Sequence, residues 1–585
     1  MRAMKAKRNA KRVNLTTTTE KEEEEEKELN GKITWSSEPG QRRRWRRLAS
    51  QGPTPYAASR VTDELSAFLL LFTARMEQIV LVHTNREGSR SHGSEGAGWT
   101  DMDVVELRAY VGLLLLTGVF RSWGEAAVSL WDAECGRPVF PATMPLERFY
   151  TCSKALRFDD RATRPARHAS DELAAVRELW DEWSSRLPLL YDPGREVTVD
   201  EQLVPFRGRC PFRQYMPSKP TRYGVKIWAA CDARSSYAWN MQVYTGKAAS
   251  GEHEKKNQGL RVVLDVTRGL GGGRNVTCNN FFTSYELAER LLARDLTVVG
   301  MLHKNRPELP AWPVHHRHEA FSSEFAFTPS VTLVSYVPKR NQSMLLLSTA
   351  HGDAAVAVDR PDRKPEILLH YNRNKDGVDN LDKLVTAYSC RRRTRRWPTA
   401  VFHNILDVSA YNAFVLWQEL NPEHAASLHS RRNARRLFLE RLGKALVAPL
   451  VQRRAGVPRA PAEVEVGDEA DVDTDMDTEL ELEPEPELEP EAVEQRRTRR
   501  PEGATRAPRK RCQVCPPRLD RKTSMACARC AVRVCGRCYI LYCPACDLQA
   551  RRGGREATER TMPPERRREG CARTASPCAA GSSRP

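Results

Sequence analysis

Apolar residues recur at helical spacing over the first part of the foldable region, which begins near Val61 and ends near residue 190. One face of the first helix carries four apolar side chains, Leu65, Phe68, Leu69 and Phe72. A second helix enters the apolar run at 110–120, which is too short to span a bilayer and is typical of a buried helix. The pattern predicts an all-helical domain over 58–190 and no membrane partner.

From Glu196 onward, strand patterns alternate with helical ones. The predicted strands lie at 197–199, 224–230, 237–244, 275–278 and 296–302, and the predicted helices lie at 260–266 and 284–292. This order matches the RNase H-like fold, which has three strands, a helix, a strand, a helix and a strand. In that fold a mixed sheet is covered by helices. We place the two parts of this core at 191–303 and 369–450. Short strand-like runs between them predict an inserted β-rich subdomain at 304–368.

Blocks of charge interrupt this multidomain α/β arrangement. Few apolar residues occur in 1–57, which predicts a disordered charged arm. An acidic, proline-containing stretch predicts a disordered linker over 451–508, and the arginine-rich 551–585 predicts a disordered basic tail. The chain opens without an apolar signal segment, and its net charge of +18 favours a polyanionic partner, most simply nucleic acid.

Sixteen cysteines include four Cys-x-x-Cys pairs within 509–550. The eight paired thiols are Cys512, Cys515, Cys527, Cys530, Cys535, Cys538, Cys543 and Cys546. Eight thiolates supply two tetrahedral zinc sites, so the spacing predicts a two-zinc structural module rather than disulfides. RING and PHD modules have similar spacings, which leaves a ubiquitin-ligase or histone-reader role open beside DNA binding.

Several unrelated strings also occur in a fixed order. These are Asp-Glu at 200–201, Phe-Arg-Gly-Arg at 206–209, Tyr-Met-Pro-Ser-Lys-Pro at 215–220, Tyr-Thr-Gly-Lys at 244–247 and Gly-Val-Asp-Asn-Leu-Asp at 377–382. Together they resemble the piggyBac transposase family. The resemblance implies that 58–190 helps to grip DNA ends, and that the zinc module is crossed, with the first and third pairs on one zinc and the second and fourth on the other.

The resemblance also assigns the candidate active-site positions. Asp200 stands at the end of a predicted strand and matches the family's first catalytic carboxylate, while Asp379 and Asp382 share a helix face and match its closing motif. Asn279 occupies the position of the second catalytic aspartate. Cleavage by two Mg²⁺ or Mn²⁺ ions needs anionic oxygens, and an amide brings no charge. We therefore expect a degenerate site with impaired cleavage, although an active transposase stays an alternative.

An arginine cluster follows the last carboxylates. It comprises Arg391, Arg392, Arg393, Arg395 and Arg396, which can pair with phosphates without a metal ion. The sequence thus predicts a nuclear, transposase-derived DNA-binding protein with two structural zinc ions. Two partner alternatives stay open: a homodimer, and a protein-interaction or chromatin-reader role through the zinc module.

Overall fold

The computed structural model describes residues 33–39, 48, 50–91, 98–217, 219–246, 257–306, 308–310, 319–340, 342–423 and 433–456, together with two short strands at 510–511 and 522–523. The chain divides into two compact units, Met1–Glu479 and Leu480–Pro585. In the second unit, the two short strands pair antiparallel, with Lys510 opposite Thr523. All eight predicted zinc ligands, most of the acidic linker and the whole basic tail lie outside the described residues.

Nine helices occupy the described part of 55–190. They are α1 (Pro55–Ala58), α2 (Glu64–Leu69), α3 (Ala74–Ser91), α4 (Val104–Val119), α5 (Ala127–Trp131), α6 (Val139–Thr143), α7 (Leu146–Ala155), α8 (Arg164–His168) and α9 (Arg177–Leu190). Helix α4 is the apolar run, and Asp103 caps it by accepting a hydrogen bond from the Glu106 amide at 2.8 Å. Every residue of α4 from Ala109 to Val119 is buried. This helix is therefore a core element rather than a membrane span.

Eleven strands are described up to residue 348. They are β1 (Gly52–Pro53), β2 (Tyr191–Asp192), β3 (Glu196–Pro205), β4 (Gln214–Tyr215), β5 (Tyr223–Asp232), β6 (Ala238–Val243), β7 (Asn275–Cys278), β8 (Thr297–Leu302), β9 (Ser323–Phe327), β10 (Thr332–Lys339) and β11 (Gln342–Ser348). Nine of them form one sheet in the order β4-β5-β3-β7-β8-β11-β10-β9, with β6 also on β5. Strands β3, β7 and β8 are parallel and the other pairs are antiparallel. The sheet is therefore mixed.

The remaining helices surround and follow this sheet. They are α10 (Gln258–Val266), α11 (Tyr285–Leu292), α12 (Glu366–Asn374), α13 (Gly377–Ala387), α14 (Trp397–Leu420) and α15 (Ala434–Ala455). Between β3 and β8 the strands and helices follow the predicted order, apart from the two-residue strand β4, which was not predicted. Helix α14 is buried along most of its length from Thr399 to Trp417, so it is part of the core of the first unit. Within the described part of the chain, we find no helix with the length and apolar content that crossing a bilayer demands.

Parts of the predicted disordered arm are ordered. The Trp35 indole donates a hydrogen bond to the Glu308 carbonyl at 3.2 Å, and Ser36 pairs with Phe327 at the edge strand β9. Strand β1 pairs with β2. The expectation of disorder was wrong for 33–39 and 50–57, because a few apolar side chains, among them Ile33, Trp35 and Tyr56, pack against the core despite the charged surroundings. Helix α15 likewise continues five residues into the predicted linker.

Strand β3 is longer than its sequence pattern suggested. It continues beyond Asp200 to Pro205 because its outer half pairs with β5, as far as Pro205 opposite Gly224. The prediction that the strand ends on Asp200 was therefore wrong. Its parallel pairing with β7 does end at Val199, opposite Cys278. Asp200 thus lies where one neighbour of β3 leaves the sheet, and a cleft can open there.

Candidate active site

Asp200 and Asn279 meet at the edge where β7 ends. Asn279 directly follows β7, and its side-chain amide Nδ2 donates a hydrogen bond to Asp200 Oδ1 at 2.8 Å. The amide oxygen of Asn279 accepts a hydrogen bond from the Phe281 backbone amide at 2.9 Å. This second bond fixes which end of the amide faces Asp200, because the reverse orientation would place two N–H donors together. Asn279 therefore presents hydrogen, not oxygen, to the carboxylate.

Asp379 and Asp382 lie on the first turns of α13, and Lys219 lies between them. The Lys219 ammonium Nζ is 2.8 Å from Asp379 Oδ1 and 3.7 Å from Asp382 Oδ2. It also donates to the Glu201 carbonyl at 2.8 Å, which ties it to strand β3 next to Asp200. One cation of the protein is thus shared by two of the predicted metal-binding carboxylates.

Close backbone packing holds α13 against β3. The Thr198 hydroxyl donates to the Asn374 carbonyl at 2.5 Å, just before α13 begins. At Gly377 a methyl group would lie 2.5 Å from that hydroxyl oxygen, so the helix approaches the strand as closely as glycine permits. Thr198 and Asp200 point to the same face of β3 because they are two residues apart. The carboxylates of α13 are therefore positioned over the same face as Asp200.

Burial dominates the electrostatics of this cluster. It raises the pKa of Asp200 to about 8, with a further contribution from the neighbouring charge of Glu201. Burial also raises the pKa of Asp382 to about 6, although Lys219 opposes that rise. For Lys219 itself, burial disfavours the charge, but the hydrogen bond to Asp379 and the charge of Asp382 outweigh it and the pKa is raised. The site therefore favours a charged lysine and a protonated Asp200 near neutral pH.

This donor set does not fit a pair of divalent metal ions in the arrangement observed. Two such ions repel each other and need anionic oxygens on both sides. Here the Asp200 carboxylate is met by an amide N–H, and Asp379 and Asp382 are met by an ammonium group. Among the residues that the structure describes, no group of three or more His, Cys, Asp or Glu side chains is placed to hold a metal ion.

The arginine cluster is split between protein contacts and solvent. Arg391 stacks 4.4 Å from the Trp123 ring centre, and Arg392 donates to the Ser122 carbonyl at 2.8 Å. Arg396 donates to two backbone carbonyls near the end of α7, at 2.6 and 2.7 Å. Arg393 and Arg395 are exposed. Three of the five predicted DNA-binding arginines therefore also hold the loop before α14 in place.

Two features of the site were missed by sequence reasoning. Lys219 was visible only as part of the Met-Pro-Ser-Lys-Pro string, and nothing in that string shows that its ammonium lies between Asp379 and Asp382. The second is a cavity in which Arg395 and Arg396 lie beside three arginines that follow α7. Those three arginines come from a distant part of the sequence, and no spacing rule connects them with the cluster.

Comparison with known proteins places this geometry in a family. A family model described as transposase IS4 matches residues 63–414, well over half of the chain. The piggyBac transposable element-derived protein 3 of Homo sapiens is 22% identical over 354 residues, which cover 58% of this chain and 59% of that protein. The chimeric ERCC6-PGBD3 protein of Homo sapiens is also 22% identical, over 58% of this chain and 33% of its own length. The chain thus spans well under two thirds of these curated relatives.

A solved structure extends the match. The cryo-EM structure of a piggyBac transposase synaptic complex with hairpin DNA is 29% identical, with a TM-score of 0.66, over 85% of this chain and 99% of that one. The residues that form the cleft, Asp200, Asn279, Asp379 and Asp382, all lie within the range that the family model matches. The chain therefore belongs to the piggyBac-type transposase family.

Proposed function

We propose that this protein is a transposase-derived, nuclear DNA-binding protein whose cleavage and strand-transfer activity is impaired. One observation carries the proposal: Asn279 donates an N–H group to Asp200 at the position of the family's second catalytic carboxylate. In an active two-metal site, both positions present oxygen to cations. Here Asp200 has a hydrogen-bond donor without a cation, and an amide in place of a carboxylate gives the cleft one negative charge fewer.

Lys219 supports the same conclusion from the opposite side of the cleft. Its ammonium neutralises Asp379 and approaches Asp382, so a divalent ion has to displace it in order to reach both carboxylates. Displacement leaves a half-buried lysine without its anionic partners, which is costly. The remaining site therefore favours weak binding of a single Mg²⁺ or Mn²⁺ ion over binding of two.

DNA binding is supported by charge and by the family. The chain carries a net charge of +18, and the solved relative with the TM-score of 0.66 is a complex with hairpin DNA. Arg393 and Arg395 add exposed guanidinium groups in the loop before α14. We expect duplex affinity that falls steeply with ionic strength, because each phosphate contact releases counterions. A chain that binds no duplex at low salt would favour the protein-interaction alternative.

The cleavage part of the proposal is tested by restoring the carboxylate. We expect Asn279→Asp to raise Mn²⁺-dependent nicking of a family-type transposon end by about tenfold or more, the scale on which changes around metal sites act. The matched control is Asn280→Asp, which adds the same charge on the exposed neighbouring residue and is expected to leave nicking at the level of the unaltered chain. Nicking is measured on labelled DNA in a gel.

The same assay decides between the proposal and an active transposase. Robust cleavage by the unaltered chain that disappears in Asp200→Ala would contradict the proposal, because it would show that Asn279 is tolerated. Absence of cleavage in both the unaltered chain and Asn279→Asp would place further defects in the site, with Lys219 as the next position to change. DNA binding is measured in parallel, so that loss of cleavage is not confused with loss of substrate.

A further inference from the structure

We propose that a cavity between the end of α7 and the start of α14 is a phosphate-binding site that seats a backbone phosphate of DNA. The cavity has a volume of about 320 Å³. Its lining includes five arginines, Arg157, Arg161, Arg164, Arg395 and Arg396, together with Trp397 at the start of α14. The assignment to DNA rests on the proposed function, whereas the phosphate chemistry rests on the cavity itself.

Three of the five lining arginines are fixed by the protein. Arg157 donates to Glu87 at 2.8 Å and to two backbone carbonyls, and Arg164 holds Asp159 with two N–H groups at 2.5 and 3.0 Å. Arg396 is fixed by its two carbonyl bonds. Guanidinium groups held in this way bind an anion with little further loss of side-chain entropy.

The other two arginines extend into solvent. Arg161 has a side chain that is 65% exposed, and it lies 3.4 Å from Glu87, a carboxylate that also pairs with Arg157 and Arg90. Arg395 is exposed as well. The cavity therefore combines fixed positive groups with two exposed arginines at its edge, an arrangement that can close around an anion entering from solvent.

Positive charge exceeds negative charge at this place. Of the described residues that line the cavity, five are arginines and none is Asp or Glu. The carboxylates that pair with lining arginines are Glu87, which Arg157 and Arg161 share with Arg90, and Asp159, which Arg164 shares with Arg167, so each of them serves more than one arginine. Burial, and after it the nearby charge of Arg157, lowers the pKa of Arg396 to about 10. An anion in the cavity would relieve this repulsion.

The size and geometry of the cavity favour a phosphodiester over a smaller anion. Planar guanidinium groups bind phosphate oxygens in pairs. The volume is at the lower end of the roughly 300–1,000 Å³ range of small-molecule sites, which gives room for a phosphate with part of a sugar. Helix α14 also begins at the cavity wall, and no side chain caps its amino end. Phosphate is thus the chemistry that the lining recognises.

The first experiment measures the salt dependence of DNA affinity with the full chain. The cavity variant carries two substitutions, Arg161→Gln and Arg395→Gln. The charge-matched control carries Arg268→Gln and Arg290→Gln, which remove two exposed arginines outside the cavity lining. The cavity variant is expected to bind more weakly and to reduce the slope of log affinity against log salt by about 1, the effect of losing one phosphate contact. The control is expected to keep the slope of the unaltered chain.

The second experiment uses inorganic phosphate alone. Phosphate is expected to raise the unfolding temperature of the unaltered chain above that in chloride at equal ionic strength, because a ligand that binds the folded state stabilises it. The cavity variant should lose this difference and the control should keep it. Unfolding is followed by tryptophan fluorescence, and the starting temperatures in chloride show whether the variants fold.

The two experiments separate the possible failures. If the unaltered chain binds no DNA but phosphate still stabilises it through the cavity, the proposed function fails and the cavity binds a free phosphate. If the chain binds DNA with an unchanged slope in the cavity variant, and phosphate stabilises all variants equally, the inference is overturned while DNA binding stands. A slope change that is equal in the cavity variant and the control also overturns it, because the loss is then only one of net charge.

Discussion

Asn279 and Lys219 show how single side chains decide what the cleft can hold. The Asn279 amide satisfies the Phe281 N–H with its oxygen and Asp200 with its N–H, so both ends of one side chain are used. Lys219 brings an ammonium group to within 2.8 Å of Asp379. The amide N–H of Asn279 and the ammonium group of Lys219 each bring positive charge to a carboxyl group. In a two-metal site, metal ions would bring that positive charge. Asp200 and Asp379 thus have partners within the protein, as the proposed function requires.

The raised pKa of Asp200 predicts a pH-dependent cost to stability. The folded carboxyl binds its proton more tightly than the unfolded one, so the folded state is favoured at low pH and loses stability as pH rises from about 4 to about 8. Asp200→Asn keeps an acceptor for Asn279 without the charge. We expect it to raise the unfolding temperature, and to do so more at about pH 9 than at about pH 5, in buffer without Mg²⁺ or Mn²⁺.

Asp362 provides the control with the opposite sign. Its hydrogen bonds to Arg360 and Lys364 hold its pKa below the usual range, so its contribution is present at neutral pH and is lost in acid. Asp362→Asn should therefore lower the unfolding temperature slightly at neutral pH and not raise it. If Asp200→Asn changed the unfolding temperature, relative to the unaltered chain, by the same amount at both pH values, the proposed burial of the Asp200 charge would be contradicted.

The sequence located the candidate site residues better than their contacts. Asp200, Asn279 and the Asp379–Asp382 pair were assigned from their resemblance to the family's motifs, and the strand and helix patterns placed each of them on or next to an element. The ammonium end of Lys219 could not be placed, because a long flexible side chain and a loop separate it from its partners. The cavity arginines Arg157, Arg161 and Arg164 were missed for a related reason: their proximity to Arg395 depends on the packing of α7 beside the start of α14.

At the scale of elements, strand β3 organises the first unit. It pairs with β5 on one side and β7 on the other, and α13 packs across its face. Individual strands and helices follow local periodicity and were predicted, but their partners depend on contacts distant in the sequence. The β-rich character of 304–368 was predicted, whereas the pairing of β11 with β8, which joins its strands to the core sheet, was not.

The close approach of α13 to β3 gives a prediction at this scale. Gly377→Ala would place a methyl group 2.5 Å from the Thr198 hydroxyl oxygen, so the helix has to move outward and carry Asp379 and Asp382 with it. We expect a loss of stability of about 1–3 kcal/mol, typical of overpacking. The measurement is chemical unfolding followed by tryptophan fluorescence, which reports on the first unit because all twelve tryptophans lie between residues 35 and 417.

Gly124→Ala is the matched control, because a methyl group added at Gly124 meets no atom within 4 Å. This substitution should leave the stability unchanged or raise it slightly, because alanine lowers the conformational entropy of the unfolded chain. If Gly377→Ala were as stable as this control, the strand and helix would not be in the close contact described. Thr198→Ala in the Gly377→Ala background removes the hydroxyl oxygen that the added methyl group meets, so the double variant should lose less stability than the sum of the two single variants.

At the scale of the whole molecule, the chain separates into parts of different chemistry. The boundary between the two compact units falls after Glu479, within the acidic segment predicted as a linker. The first unit contains the sheet, the candidate active site and the arginine-lined cavity. The second unit contains all four Cys-x-x-Cys pairs. Its metal content is therefore open to a test that leaves the cleft unchanged.

We expect the full chain to carry two zinc ions and a chain ending at Glu479 to carry none, as measured by elemental mass spectrometry. With few apolar residues available, zinc has to supply most of the folding energy of the module. Cys571→Ser with Cys578→Ser is the control and should keep both ions, because these cysteines lie outside the four pairs. Fewer than two ions per unaltered chain would contradict the predicted module.

The same measurement distinguishes the two ways in which the pairs can share metal. In the crossed arrangement that the family implies, replacing the first and third pairs (Cys512, Cys515, Cys535 and Cys538) by serine removes every ligand of one zinc and leaves the other site intact, so one ion remains. In a sequential arrangement, the same replacement takes two ligands from each site, and both ions are lost. Replacing the first and second pairs reverses these outcomes. Retention of one ion in the second variant but not in the first would therefore overturn the crossed assignment while keeping the two-zinc module.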